Sequence, residues 1–337
     1  MNNVDIKFIA EKSGCSIATV SRVINRSKPV SKEMEKRVMD MIKKYNYNPN
    51  AHARYLAEKK TRLLGFIMTN HINQYQLLLF RYLNEFACVQ GYGCIIRYCN
   101  SSFQEKLEVL QELEIRGIEV CFTLFLLTKE EEKYINEHFR IRVCHMQSLE
   151  MKLNLIEKNQ KSVYEAVVYL SKLGHKKIGG IFYQDDVTDS FIVARENGFL
   201  RAMEQTNLLI DPAYIGHLKG EVDSESVVSV IEKIFVPNHF PTAIFCYSDE
   251  VAIELMCWLM RHGYKIPEDV SVLSFDGIPF TERLVPSITT ICQPVEFQAE
   301  RIINGMLYLL NGEERKSGDT GNDYVLQIRN STGVPRE

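Results

Sequence analysis

Ser16, Ile17, Ala18, Thr19, Ser21, Arg22 and Asn25 crowd into one short amphipathic stretch, and their side chains divide into readers and positioners. Arg22 carries a fork of donors that matches the O6 and N7 of guanine, a contact worth roughly 1–3 kcal/mol of discrimination between bases. Ile17 and Ala18 offer only apolar surface, which suits a thymine methyl. The hydroxyls of Ser16, Thr19 and Ser21 and the amide of Asn25 suit phosphate oxygens, which fix register without specifying sequence. An ordinary exposed helix charge is the plain alternative for Arg22. The set works only if a helix presents its N-terminal side chains to a major groove.

The flanking residues supply that helix. Ile6, Ile9 and Ala10 recur at helical spacing, Ser13-Gly14 breaks the pattern, and Ser16 can cap a second helix whose Val20, Val23 and Ile24 point inward. That is a helix-turn-helix. Ser31 can cap a third helix from about Lys32 to Tyr45, with Met34, Val38, Met41 and Ile42 as its inward face. Asn48-Pro49-Asn50 ends it, and the segment Ala51 to Lys60 is shorter than the roughly 12 residues an isolated helix needs.

Charge follows the same division. The 337-residue chain has a net charge of −3, yet residues 1–62 hold 14 Lys and Arg against 6 Asp and Glu, and the remainder holds 26 against 37. A basic head on an acidic body orients a protein toward a polyanion by the head alone. The content of 45% hydrophobic residues supports two or three well-buried domains. No apolar run approaches the roughly 18 residues of a membrane span, and the N-terminus has no secretory signature, so a cytoplasmic protein without membrane contact is expected. Nine cysteines contain no C-x-x-C pair and no zinc spacing, which predicts reduced thiols, no structural metal and no cofactor.

From Leu63 onward, strand-like runs alternate with amphipathic helices. Strands are expected at Leu64–Met68, Cys94–Cys99, Ile118–Phe122 and Val143, with helices at Leu77–Gln90, Phe103–Arg116 and Lys129–Phe139. The pattern restarts with helix Ser162–Leu173, strand Ile178–Phe182, helix Phe191–Gln205, strand Tyr214–Leu218 and helix Glu225–Phe235. Strand Ala243–Cys246, helix Glu250–His262 and strand Val270–Phe275 follow. Strand Ile288–Ile291, helix Val295–Leu310 and strand Tyr324–Ile328 close the chain. Alternation of this kind implies parallel sheets covered on both faces. The expected fold class is a small all-α helix-turn-helix head plus an α/β body of two doubly wound parallel-sheet subdomains. No G-x-G-x-x-G follows the first strand, and Walker, G-x-S-x-G and H-E-x-x-H motifs are missing, so no catalytic residue is assigned and an enzyme is not expected. His175 beside Lys176 reads as a helix cap or a surface residue.

ATVSRVIN, PVS and YNPNAHARYLAEKKTRLLGFI resemble the N-terminal module of the LacI/GalR family of bacterial transcriptional regulators. LGHKKIGGI, RENGF, PTAIFCYSDEVA, IPEDVSVLSFD, PSITTICQP and IRNSTGVP resemble its body, in order. The resemblance implies a DNA-binding regulator, expected to be a repressor, working as a homodimer on a pseudo-palindromic operator. The chain runs only a little past Ser331-Thr332 with no heptad tail, which favours the dimer. Residues 51–60 become a hinge helix: Leu56 wedges a minor-groove step, Ala53 lets the paired helix approach, and Asn50 caps it or meets phosphate. Leu56 as a packing residue between head and body is the alternative.

The resemblance further implies a body like a periplasmic sugar-binding protein, divided into 1–49 head, 50–62 hinge and linker, 63–158 with 290–320, and 159–289 with 321–337. A small-molecule effector would lie between the two subdomains, on Asn73, Tyr75, Arg195, Ser248, Asp249 and Asp276. Arg195 and Asp276 could instead form a salt bridge across the cleft. Ser248 stands where the family often has an asparagine, Asn73-Gln74-Tyr75-Gln76 replaces Asn-Pro-Phe-Phe, and Lys158-Asn159 replaces Asp-Asn. Leu218 occupies the place of a stacking aromatic, for which Tyr75, Tyr183 or Tyr247 could substitute. A sugar or sugar derivative is the first expectation; a nucleobase, a phosphorylated compound, or a binding protein without DNA function are the alternatives.

Overall fold

Asp5 starts the first helix by accepting a hydrogen bond from the Phe8 backbone N–H at 2.8 Å. The computed structural model describes residues 4–25, 28–47, 61–69, 73–99, 102–125, 127–145, 152–184, 191–219, 223–312 and 323–336. The chain forms two units, residues 1–61 and residues 62–337.

The head consists of α1 (Ile6–Ser13), α2 (Ile17–Asn25) and α3 (Lys32–Lys44). α1 stops because Gly14 takes a left-handed conformation, φ 66° and ψ 34°, and returns its N–H to the carbonyls of Ala10 and Glu11. Ser31 caps α3 through the Met34 N–H, and Ile9, Ala10, Val20, Val23 and Val38 form the small core, with Met34, Met41 and Ile42 packed at its edge.

In the body, β1 (Leu63–Thr69), α4 (Gln74–Val89), β2 (Gly93–Cys99), α5 (Phe103–Ile115), β3 (Val120–Thr123), α6 (Lys129–His138) and β4 (Arg142–His145) build the first lobe. Its four strands are all parallel in the order β2-β1-β3-β4. Both faces are covered, so β1 is apolar from Leu63 to Met68: Leu64 and Phe66 share a core with α4, while Ile67 shares one with Leu110 and Leu113 of α5 and Ile135 of α6.

α7 (Lys152–Lys172) leads into the second lobe, where β5 (Ile178–Tyr183), α8 (Phe191–Gln205), β6 (Ile215–Leu218), α9 (Ser224–Ile234), β7 (Ala243–Cys246), α10 (Asp249–Arg261), β8 (Ser271–Asp276) and β9 (Thr289–Cys292) follow. α11 (Val295–Asn311) then packs Ala299, Ile302, Ile303 and Met306 into the first lobe's core, and β10 (Val325–Gln327) returns to the second sheet. That sheet runs β10-β9-β8-β7-β5-β6.

Four details differ from the sequence expectation. β10 pairs antiparallel to β9, with Val325 opposite Cys292, so the second sheet is mixed rather than wholly parallel. α7 is continuous through the expected division at 158/159, with Leu155 in the first lobe's core and Val163 in the second's. The expected change of subdomain at 290 falls inside β9, which pairs with β8, so the chain leaves the second sheet only after Cys292. His175 is neither a cap nor a surface residue: it is buried, with Nδ1 2.9 Å from Thr242 Oγ1 and Nε2 2.9 Å from the Gly333 carbonyl, and burial lowers its pKa. Among the described residues, no helix is long and apolar enough to cross a membrane, and all nine cysteines are free thiols.

Candidate functional site

The outward face of the head's second helix follows from how α2 is anchored. Val20 and Val23 are buried, which turns Ser16, Ile17, Ala18 and Arg22 outward at the start and middle of the helix. Ile17 keeps 44% of its surface exposed, a cost in water that an apolar partner such as a base methyl would remove. Ser16 caps the helix, accepting from the Thr19 N–H at 3.1 Å, and the two hydroxyls lie 2.9 Å apart. Thr19 and Ser21 are half-buried beside them. Asn25 ends α2; its side chain, like Asn50, Ala53 and Leu56, lies outside what the structure describes. The structure therefore brings Ser16, Ile17, Ala18, Thr19, Ser21 and Arg22 onto one short helix.

The body's polar cluster lies where the C-terminal ends of β5, β7 and β8 meet the segments that cross between lobes. Ligand crevices of open parallel sheets form at such strand ends. Arg195 of α8 lays its guanidinium 3.7 Å from the ring centroid of Phe275 and places Nη2 3.6 Å from Asp276 Oδ1. It also donates through Nε to Asn159 Oδ1 at 3.0 Å and through Nη1 to the Tyr247 carbonyl. The salt bridge is real, but both partners belong to the second lobe, so it does not span the cleft.

Asp276 is buried at the end of β8 with φ 119°, a conformation that costs a non-glycine residue on the order of 1 kcal/mol. Burial pushes its carboxyl up to about 7, with Arg195 opposing and Asp249 reinforcing the rise. Gln293 Nε2 donates to it at 2.8 Å. From the first lobe, Tyr75 donates its hydroxyl to Gln298 Oε1, and burial raises its pKa well above the usual phenol value. Tyr183 and Tyr247, at adjacent strand ends, have ring centroids 6.0 Å apart.

Three of the six expected contact residues are otherwise engaged. Asn73 forms a capping box with Gln76, accepting from its N–H at 2.8 Å while Gln76 Oε1 accepts from the Asn73 N–H at 3.3 Å, so α4 begins at Gln74 rather than near Leu77. Ser248 caps α10 through the Val251 N–H. Asp249 is fully buried: its carboxylate accepts from the Ser274 hydroxyl, from Thr290 Oγ1 at 2.6 Å and from the Ile278 N–H at 2.7 Å. Burial raises its pKa and those hydrogen bonds oppose the rise. Asp249 thus holds the loop after β8 and the start of α10 together. Leu218 is buried among Val227, Val230 and Ile231, and Lys158 pairs with Asp323 at 3.5 Å.

Residues not anticipated complete the cluster: Gln293, Gln298 and Tyr324. Gln298 had a visible signal, since it interrupts the apolar stripe Val295, Ala299, Ile302, Ile303 and Met306 of α11 yet is 2% exposed. A polar residue there must find partners. Gln293 and Tyr324 had none, because their meeting depends on how the chain crosses between lobes.

A helix-turn-helix head whose second helix turns Ser16, Ile17, Ala18 and Arg22 outward, in one chain with a two-lobed body that carries a polar crevice, is the architecture of a DNA-binding regulator with a ligand-binding module. Residues 5–50 match the model of bacterial regulatory proteins of the lacI family, and residues 167–332 match that of a periplasmic binding protein-like domain. The HTH-type transcriptional repressor PurR of Vibrio cholerae is 30% identical over 299 residues, covering 86% of this chain and 86% of its own length; that of Histophilus somni is 31% identical over 294 residues, with the same coverage. The chain belongs to the LacI family of DNA-binding transcriptional repressors. Among solved structures, the lac repressor bound to ONPG in its repressed state superposes with a TM-score of 0.79 at 19% identity, covering 98% of this chain and 100% of that one. The CcpA transcription regulator of Lactococcus lactis gives 0.65 at 18% identity over 80% and 98%. Both likenesses concern the fold.

Proposed function

We propose that this repressor reads a pseudo-palindromic operator as a homodimer through Ile17, Ala18 and Arg22 of each head, with Ser16, Thr19, Ser21 and Asn25 on phosphates. The observation that carries this reading is the outward face of α2 on a head whose residues 1–62 hold 14 basic against 6 acidic residues. Asn50, Ala53 and Leu56 would act as a paired hinge, with Leu56 wedging the minor groove. The division into a 1–49 head, a 50–62 hinge and two subdomains belongs to the same reading, with the second change of subdomain moved from 290 to after Cys292, where β9 ends. A mobility shift on the DNA upstream of the chain's own gene tests it: specific retardation is expected, and binding indifferent to sequence would overturn it. Leu56→Ala should weaken operator binding at fixed salt while leaving the melting temperature unchanged.

For the effector, the cleft chemistry supports a flat nitrogen heterocycle of the nucleobase class over a sugar. Asp249 and Asn73 are taken up by the protein itself, so the crown of carboxylates and amides that a polyhydroxy ligand wants is thin. What stands at the strand ends is the Arg195–Asp276 pair, itself joined to Asn159 and Gln293, with the rings of Tyr183 and Tyr247 beside it; a ligand that displaced those partners would find a donor, an acceptor and flat faces. The second reading is a sugar derivative, favoured by the superposition on the lac repressor with ONPG and on the regulator CelR in complex with cellobiose, the latter with a TM-score of 0.66. Thermal-shift titration with nucleobases and with mono- and disaccharides separates the two. Stabilisation by saccharides alone would reject the nucleobase reading.

A further inference from the structure

The buried polar side chains at the crossing segments close into a ring. Gln298 Nε2 lies 3.4 Å from Gln293 Oε1 and 3.3 Å from the Tyr324 hydroxyl. Gln293 Nε2 donates to Asp276 at 2.8 Å, Asp276 faces Arg195, Arg195 Nε donates to Asn159 at 3.0 Å, and Asn159 Nδ2 donates to the Tyr324 hydroxyl at 3.2 Å. The ring joins every passage between the lobes. Asn159 sits on α7 just after the first passage, Gln293 lies between β9 and α11 at the second, and Tyr324 directly precedes β10 after the third. Gln298 also receives the hydroxyl of Tyr75 from the first lobe's α4.

We propose that this ring is a lobe-angle lock, with Gln298 as the positioning residue that transmits contacts made at Tyr75, Arg195 or Asp276 to all three crossings. Asn159 and Gln298 are each 2% exposed and Asp276 is 8% exposed, so water cannot easily replace a lost partner. Hydrogen bonds in such a closed, poorly solvated set reinforce one another, and loss of one loosens the rest. Rotating one lobe against the other must break the ring at Gln293 or Tyr324. A ligand that binds Arg195 and Asp276 competes for Gln293's acceptor and thereby changes the preferred angle. This rests on the proposed effector site at Arg195 and Asp276, but its test uses neither ligand nor operator, so it fails or stands apart from that reading.

A second bond between the lobes supplies the gauge. The backbone N–H of Gln74, at the first turn of α4, has no partner within its own helix and donates to Glu250 Oε1 of α10 at 2.7 Å. Site-resolved hydrogen exchange on the ligand-free full chain should show this amide protected in the wild type and unprotected in Glu250→Ala. Tyr324→Phe, which removes a hydroxyl bonded to Asn159 and Gln298 and not to Gln74, Tyr75 or Glu250, should speed its exchange roughly tenfold, the scale of losing one buried hydrogen bond, while amides of β5 and β7 keep their protection. Gln298→Leu, which also removes the acceptor of the Tyr75 hydroxyl beside Gln74, should speed it at least as much. Unchanged exchange at Gln74 in Tyr324→Phe, with Glu250→Ala still accelerated, would overturn the lock. Tyr324→Phe removes a single oxygen and keeps the ring packing on Phe275, so it decides the matter even if Gln298→Leu does not fold.

Discussion

Arg195 and Asp276 form a buried ion pair within one lobe, Nη2 to Oδ1 3.6 Å, with the guanidinium clamped on Phe275. Breaking a buried pair by deleting one partner typically costs about 3–5 kcal/mol, because the other charge stays desolvated. Arg195→Ala should therefore destabilise the body by up to that amount above pH 7, where Asp276 is ionised, and by less at lower pH, where burial lets Asp276 take up a proton; adding Asp276→Asn should restore part of the loss above pH 7. Equilibrium urea unfolding of the two variants measures this directly. A double variant no more stable than Arg195→Ala would mean that packing on Phe275, not charge, is what Arg195 contributes.

Asp276 also sets a pH dependence whose sign is fixed by its surroundings. Its carboxyl is pushed from 3.8 up to about 7 by burial, so between those values the folded protein binds more protons than the unfolded chain. Stability from this group is fully present below about 4 and falls as pH rises toward about 7. The wild type should lose melting temperature across that window relative to Asp276→Asn, which cannot titrate. Parallel pH profiles for the two proteins would show that the carboxyl already titrates at its ordinary value.

Much of this molecule was legible in its residues, and the remainder was hidden for identifiable reasons. The limits of α8 and β7 follow from periodicity alone, and Ser16 and Ser31 cap the helices their positions promised. α4 begins three residues before the expected Leu77 because Asn73, expected as a ligand contact, instead forms a capping box with Gln76. Asp249 is expected at the effector only through the family resemblance; the fold shows Ser274, Thr290 and the Ile278 N–H closing around it. The ring through Gln293, Gln298 and Tyr324 joins residues brought together by two lobe crossings, and no local pattern encodes a crossing.

Gly14 isolates backbone strain from packing. A Cβ built at this position meets nothing within 4 Å, yet φ is 66°. Gly14→Ala should therefore destabilise the head by about 1–2 kcal/mol through conformation alone, and Gly14→Asn by less, because asparagine tolerates the left-handed region. Faster amide exchange at Ile9 and Ala10 with unchanged exchange in the body's sheets is the expected signature. An alanine variant with wild-type exchange would show that the turn relaxes without strain.

Arg22 decides between reading and mere attraction. If it forks onto a guanine, Arg22→Ala should cost about 1–3 kcal/mol per half-site and relax discrimination at one base pair. Arg22→Lys keeps the charge but loses the fork, so it should retain non-specific affinity and still lose that discrimination. A phosphate contact behaves differently: the alanine variant would weaken binding to all sequences alike and reduce the salt slope by about one. Mobility shifts over a salt series, on the operator and on a version changed at single base pairs, separate the outcomes. Uniform weakening restored by lysine would remove Arg22 from the readers and leave Ile17, Ala18 and the bending of the site to carry specificity.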